Sequence, residues 1–357
     1  MKKIKAENFV YFLLCGVIVW YLYESIIYSK EIISGVSQTI YRIINVVFPS
    51  LFGFMVACEF IVKTGIYKSL SVIFIPISKY LFRLPPELFS VYLLSCIGGY
   101  PVGVKMLNSL VSINAIDKET ATSFGPFCYC VSPSFSVGIV GLAIFSSVKI
   151  GVIVYISCLI ANTLALLIYS HIYKFQSTSD NEKIQINGDI LVNSVVSSGK
   201  SMLIISAMII FISYLINLLD CLKFYDIIKL KNANIFLKSL FDITFISNLS
   251  ADFKALPLIT AVISFGGICI LLQVFCICNK TFSLKRLFLL RIPLSFLSAL
   301  VCYLILKSNI LAIESVSYVY SQKNDSNFNI FSLICLFFMI IIIFFQKKNC
   351  NLEKSVL

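Results

Sequence analysis

Gly98-Gly99-Tyr100-Pro101-Val102-Gly103, with Lys105 two residues on, interrupts a run from Leu88 to Ile97 that otherwise reads as hydrocarbon-buried helix. Three glycines and a proline break such a helix and free backbone N–H and C=O groups. At membrane depth those groups are tolerated only where the break is buried in protein or lines a cavity. Lys105 adds about 2.5–3.5 kcal/mol at a helix centre. The chemistry this pattern offers is anion binding, by N–H groups at a restarting helix N-terminus together with an ammonium. A second break, Val131-Ser132-Pro133-Ser134-Phe135, follows Gly125-Pro126-Phe127-Cys128, and Gly138 and Gly141 beyond it permit close helix approach. Helices restarting after Pro101 and Pro133 would turn two N-termini toward one cavity suited to a carboxylate. The structural alternative is a pair of kinks packed against neighbouring helices.

Other groups that could do chemistry are few. Glu59, Lys105 and Arg291 lie in apolar runs, and Asp242 lies at the edge of one. An ion pair among them, or interfacial snorkelling of Glu59 and Arg291, is the alternative to a functional role. Gly199-Lys200-Ser201 ends like a phosphate loop, but Ser194 stands where the earlier glycine belongs and no strand precedes it. Of the 13 cysteines, most lie inside apolar runs, where a free thiol packs as a small hydrophobe. The pairs Cys128/Cys130 and Cys276/Cys278 have no histidine cluster near them, and His171, the only histidine, ends an apolar run. No metal or other cofactor is expected, and no nucleophile with a base suggests an enzyme.

The elements that must position these groups are membrane helices. The chain of 357 residues is 59% hydrophobic and 13% charged, with a mean hydropathy of +0.94; soluble chains carry about a quarter charged residues. Apolar runs extend over roughly Phe9–Tyr28, Val46–Val62, Ser134–Ile172, Met202–Leu219, Leu256–Cys278, Leu287–Leu306 and Ile330–Phe345. A bilayer core needs about 20 residues, so Ser134–Ile172 has room for two crossings. The expected fold is an all-α polytopic membrane protein of about eight transmembrane helices, with broken or re-entrant segments. The first run has no cleavage pattern after it and reads as a retained helix. The net charge of +12 collects in loops and termini, as the positive-inside rule places it, and does not call for nucleic acid. Lys2, Lys3 and Lys5 at one end, and Lys347-Lys348 after the last run, argue for two cytoplasmic termini.

Polar punctuation divides the chain into a membrane half at 1–173, a connecting loop at 174–190 and a second half at 191–357. Interfacial stretches, Ile66–Arg83 and Leu222–Phe241, precede the central break of each half. Gly98-Gly99 has a counterpart in Gly266-Gly267, at an offset of 168 residues. The same offset carries Lys105 onto Gln273 and Pro126 to within one residue of Pro293. Paired interrupted helices of this kind mark internally duplicated transporters.

The stretch Gly98–Lys105, with Phe127-Cys128, Ser132-Pro133, Gly138 and Gly141 after it, resembles the sporulation integral membrane protein family of the YlbJ type, whose members carry a nucleoside-recognition, or Gate, domain. The resemblance continues at Val47–Leu51, Phe265–Gly267, Gln273 and Arg291. Tyr129-Cys130 stands where the family commonly has asparagine, and Asp242–Ile246 keeps the acid of a family motif but not its glycine. What the resemblance implies is a role in endospore formation, in the mother-cell-derived outer forespore membrane, with dipicolinate, a small aromatic dianion, as transported substrate. Expected substrate contacts are Gly98, Gly99, Tyr100, Pro101, Gly103, Lys105, Phe127, Ser132, Gly266, Gly267 and Gln273. The partners expected are that anion and the lipid bilayer; the oligomeric state is left open. Nucleoside transport, and a non-transporting scaffold for spore-envelope assembly, stay open beside it.

Overall fold

A computed structural model describes residues 2–176, 187–223, 231–249, 252–278 and 283–308. The last apolar run, the Lys347-Lys348 pair, most of the connecting loop and Lys229 of the second interfacial stretch lie outside the described residues. Helices are the regular elements of the described residues, which contain no strand. In chain order the helices are α1 (Lys2–Ile27), α2 (Ser29–Arg42), α3 (Phe48–Thr64), α4 (Ile66–Ile73), α5 (Pro86–Gly98), α6 (Val102–Ser112) and α7 (Lys118–Phe124). They continue with α8 (Pro133–Ile144), α9 (Val148–Ile172), α10 (Gly188–Cys221), α11 (Lys231–Phe241), α12 (Leu256–Phe265), α13 (Gly267–Ile277) and α14 (Leu284–Lys307). Five helical stretches are long and apolar enough to cross a membrane: Ser29–Thr64, Val148–Ile172, Gly188–Cys221, Phe253–Ile277 and Lys285–Lys307. Leu14–Ile27, Pro86–Gly98 and Pro133–Ile144 are shorter apolar helices.

Local chemistry sets the boundaries. α3 has proline in its first turn and ends at Gly65 with φ +79, a left-handed cap open to glycine. Asp117 accepts a bond from Thr120 N at 3.1 Å and starts α7. Ser132 caps α8 by accepting from Phe135 N at 3.2 Å. The long apolar run from Ser134 is split at Phe145–Ser147, so α8 and α9 are separate helices. Two segments share a build: a proline-initiated half-helix, a glycine at positive φ, then an eleven-residue half-helix. They are α5–Gly99–α6 and α12–Gly266–α13.

Packing runs across the polar midpoint of the chain. α10 lies along α2 and α3, while α9 lies along α14, which also packs on α12. The two broken segments are thereby brought against each other in the centre of one continuous apolar core. Outward faces such as Val17, Ile18 and Trp20 on α1 and Leu300 on α14 are exposed and apolar, as lipid-facing surface is.

Candidate functional site

The first break is built by backbone packing as tight as glycine allows. Gly99 has φ +73, a region that disfavours any side chain, and a Cβ there would stand 2.7 Å from Ser132 Cβ. A Cβ on Gly103 would overlap the Cys128 carbonyl oxygen. Tyr100 N donates to Cys130 O at 2.7 Å, and the Tyr100–Pro101 peptide is cis. The breaks at Gly98–Gly103 and Gly125–Ser132 therefore form one unit. Tyr100 then reaches the other half of the chain: its hydroxyl donates to Ile263 O at 3.3 Å. Its ring lies 5.1 Å from that of Tyr129, and Tyr129 in turn covers Gly266, where a Cβ would come within 2.6 Å of Tyr129 Cε1.

At this junction lies Arg291, 2% exposed, on α14. Its Nη1 donates to Pro126 O at 3.2 Å and to Asn162 Oδ1 at 3.2 Å. Its Nη2 donates to the Ser264 carbonyl oxygen and, at 3.1 Å, to Ser264 Oγ. The guanidinium sits 5.2 Å from the centre of the Tyr129 ring, a cation–π distance. Among the described residues no carboxylate pairs with it. Arg291 Nε and Tyr129 Oη, both buried, have no hydrogen-bond partner among the described residues. A cavity of about 10 Å³ beside Arg291 is lined by Cys96, Cys130, Tyr155, Cys158 and Asn162, among others. That volume admits about one water molecule. Asn162 is itself oriented, donating to Phe127 O at 2.6 Å, and Ser264 Oγ lies 2.8 Å from Ser298 Oγ. Arg291 is thus a fixed, buried cation with an unused donor at the meeting of two broken helices, a position where a charge in a membrane chain is costly.

Lys105 lies elsewhere. It projects from α6 toward α3 and α10, 4% exposed, donating to Ser198 Oγ at 3.1 Å and standing 3.7 Å from Glu59 Oε2. Glu59 also accepts from Ser109 at 2.7 Å and Ser197 at 3.0 Å, and Lys63 is 3.0 Å from its Oε1. Both carboxylate oxygens are thus fully engaged, and the cluster of two lysines and one glutamate keeps one positive charge. The charge of Lys105 is held by Glu59, whereas Arg291, equally buried, has no carboxylate among the described residues.

Of the expected site residues, Gly99, Tyr100, Ser132 and Gly266 meet at the Arg291 junction, with Gly98 and Gly103 in the first break and Pro101 opening α6. The Phe127 ring faces Tyr169 at 5.2 Å, and only its carbonyl oxygen belongs to the Asn162 network. Gly267, φ +76, packs on the end of α11. Gln273 is 3% exposed, and its amide donates to Cys269 Sγ at 3.2 Å. In the sequence Arg291 reads equally as a snorkelling residue, Tyr129 shows only as a departure from the family's asparagine, and Asn162 belongs to no motif. The signal for Asn162 was an amide midway along an apolar helix of 25 residues.

No family model matches the chain, and no solved structure matches it. Over 109 residues, 30% of this chain, it is 28% identical to the sporulation integral membrane protein YlbJ of Bacillus subtilis (strain 168). The match spans 27% of that relative's length. With the five long apolar helices, this partial similarity supports a membrane location, and the chain is similar over that stretch to an integral membrane protein of sporulation.

Proposed function

We propose that this protein is a membrane carrier for a small organic anion acting in sporulation, with dipicolinate as substrate. The observation that carries the reading is Arg291: a buried guanidinium with no carboxylate beside it among the described residues, at the contact between two glycine-broken helices. One carboxylate of the substrate takes the place open beside Arg291, and the Tyr100 and Tyr129 rings flank an aromatic plane. Lys105, already balanced by Glu59, serves as a secondary cation on the helix that leaves the first break. In this reading the chain has two repeated halves, 1–173 and 191–357, about eight crossings and cytoplasmic termini. It resides in the outer forespore membrane. The Gly98–Gly99 and Gly266–Gly267 breaks are equivalent elements whose separation opens the site. A cavity of one water's size beside Arg291 belongs to the occluded state of such a cycle.

The test is uptake of labelled dipicolinate by proteoliposomes containing the purified chain, beside protein-free liposomes. Protein-dependent uptake that excess unlabelled dipicolinate suppresses and nucleosides do not is the expected result. Uptake no faster than in protein-free liposomes refutes the carrier reading. Suppression by nucleosides instead assigns the site to uncharged ligands.

A further inference from the structure

The N-terminal end of α14 and the last turns of α9 enclose a second cationic feature, open to the surface. A cavity of about 370 Å³ is lined by Tyr169, Ser283, Lys285, Arg286, Leu289 and Leu290. Lys285 is exposed, and Arg286 is half-buried with one guanidinium nitrogen donating to Ser123 Oγ at 2.7 Å. Among the described residues no carboxylate pairs with either cation. Below them the wall is apolar, with Leu289 54% exposed. Two helices long and apolar enough to cross a membrane have their ends here: α9 ends and α14 begins, and Tyr169, Tyr173 and Phe175 cluster at ring distances of 4.9–6.0 Å. Aromatic rings of this kind collect at the headgroup level.

We propose that this cavity binds an anionic phospholipid, the phosphate seated on Lys285 and Arg286 and an acyl chain against Leu289, Leu290 and the Tyr169 ring. Charge complementarity selects the headgroup, and the apolar wall selects a lipid over a free anion. Ser123 lies in α7, just ahead of Gly125, so a headgroup held on Arg286 ties α14 to the segment that carries the second break. The site is independent of the transport reading.

The test is thermal unfolding of the purified full chain in neutral detergent. Phosphatidylglycerol, phosphatidylcholine and inorganic phosphate are added separately, and retained lipids are counted by native mass spectrometry. Phosphatidylglycerol is expected to raise the unfolding temperature and to remain bound, while the other two do neither. Lys285→Gln is expected to weaken the lipid effect about fivefold in half-saturating concentration, and Lys285→Gln with Arg286→Gln on the order of 25-fold. Equal stabilisation by phosphatidylcholine or by inorganic phosphate overturns the proposal, as does an undiminished phosphatidylglycerol effect in Lys285→Gln. That exposed position keeps the test valid where the double variant fails to fold.

Discussion

Replacing Arg291 by glutamine separates the two roles a buried arginine can have, as a structural clasp or as the receptor for an anion. The guanidinium donates to Pro126 O, Asn162 Oδ1 and both oxygens of Ser264. At about 1.5 kcal/mol net per bond from a charged donor, losing all of them removes roughly 6 kcal/mol, of which a glutamine amide regains about a third. Against that loss stands the burial of an ion without a counter-charge, which costs several kcal/mol even after relaxation. The two effects nearly cancel. Unliganded Arg291→Gln is therefore expected to lie within about 2 kcal/mol of wild type. Anion binding has no such cancellation. A carboxylate about 4 Å from the guanidinium gains roughly 4 kcal/mol at an effective dielectric constant of 20. Dipicolinate affinity should then fall on the order of a thousandfold. Equilibrium binding of labelled dipicolinate to the protein in nanodiscs, with thermal unfolding run with and without ligand, measures both quantities. A folded Arg291→Gln protein that binds dipicolinate as wild type does would refute the assignment of the anion to this guanidinium.

Gly99→Ala forces a side chain into φ +73 and against Ser132, so it should destabilise by about 2–4 kcal/mol and impair uptake, whereas Gly138→Ala, where nothing lies within 4 Å of an added Cβ, should leave unfolding unchanged. Lys105→Met leaves Glu59 with Lys63 as its remaining cation and should cost about 1–3 kcal/mol, below the usual 3–5 for a broken buried pair. Combining it with Glu59→Gln should recover at least about 1 kcal/mol in a denaturation double-mutant cycle, because the buried carboxylate is then neutral. Uptake that recovers with stability in the double variant assigns Lys105 to Glu59 alone, and uptake that stays low assigns it to substrate as well.

Several helix ends were legible because their causes are short-range. Proline and glycine set the limits of α3, α5 and α12 wherever they occur in an apolar run, and Asp117 and Ser132 cap the helices that follow them. The pairing of Gly98–Gly99 with Gly266–Gly267 could be suggested from an offset, but contact between the segments could not. That contact depends on Tyr129 filling the space Gly266 leaves and on Tyr100 reaching Ile263.

By itself the sequence determined an all-helical membrane chain, broken at two glycine pairs, because hydropathy and backbone permissiveness are properties of neighbouring residues. Only the tertiary structure decided which cation is balanced. Glu59 meets Ser197 across 138 residues and Lys105 from another helix, while Arg291 meets Asn162 across 129 and finds no acid among the described residues. Two basic residues in apolar runs look alike in sequence. Their chemistry diverges because packing brings a carboxylate to one and leaves the other with neutral oxygens, an aromatic face and a space the size of a water molecule.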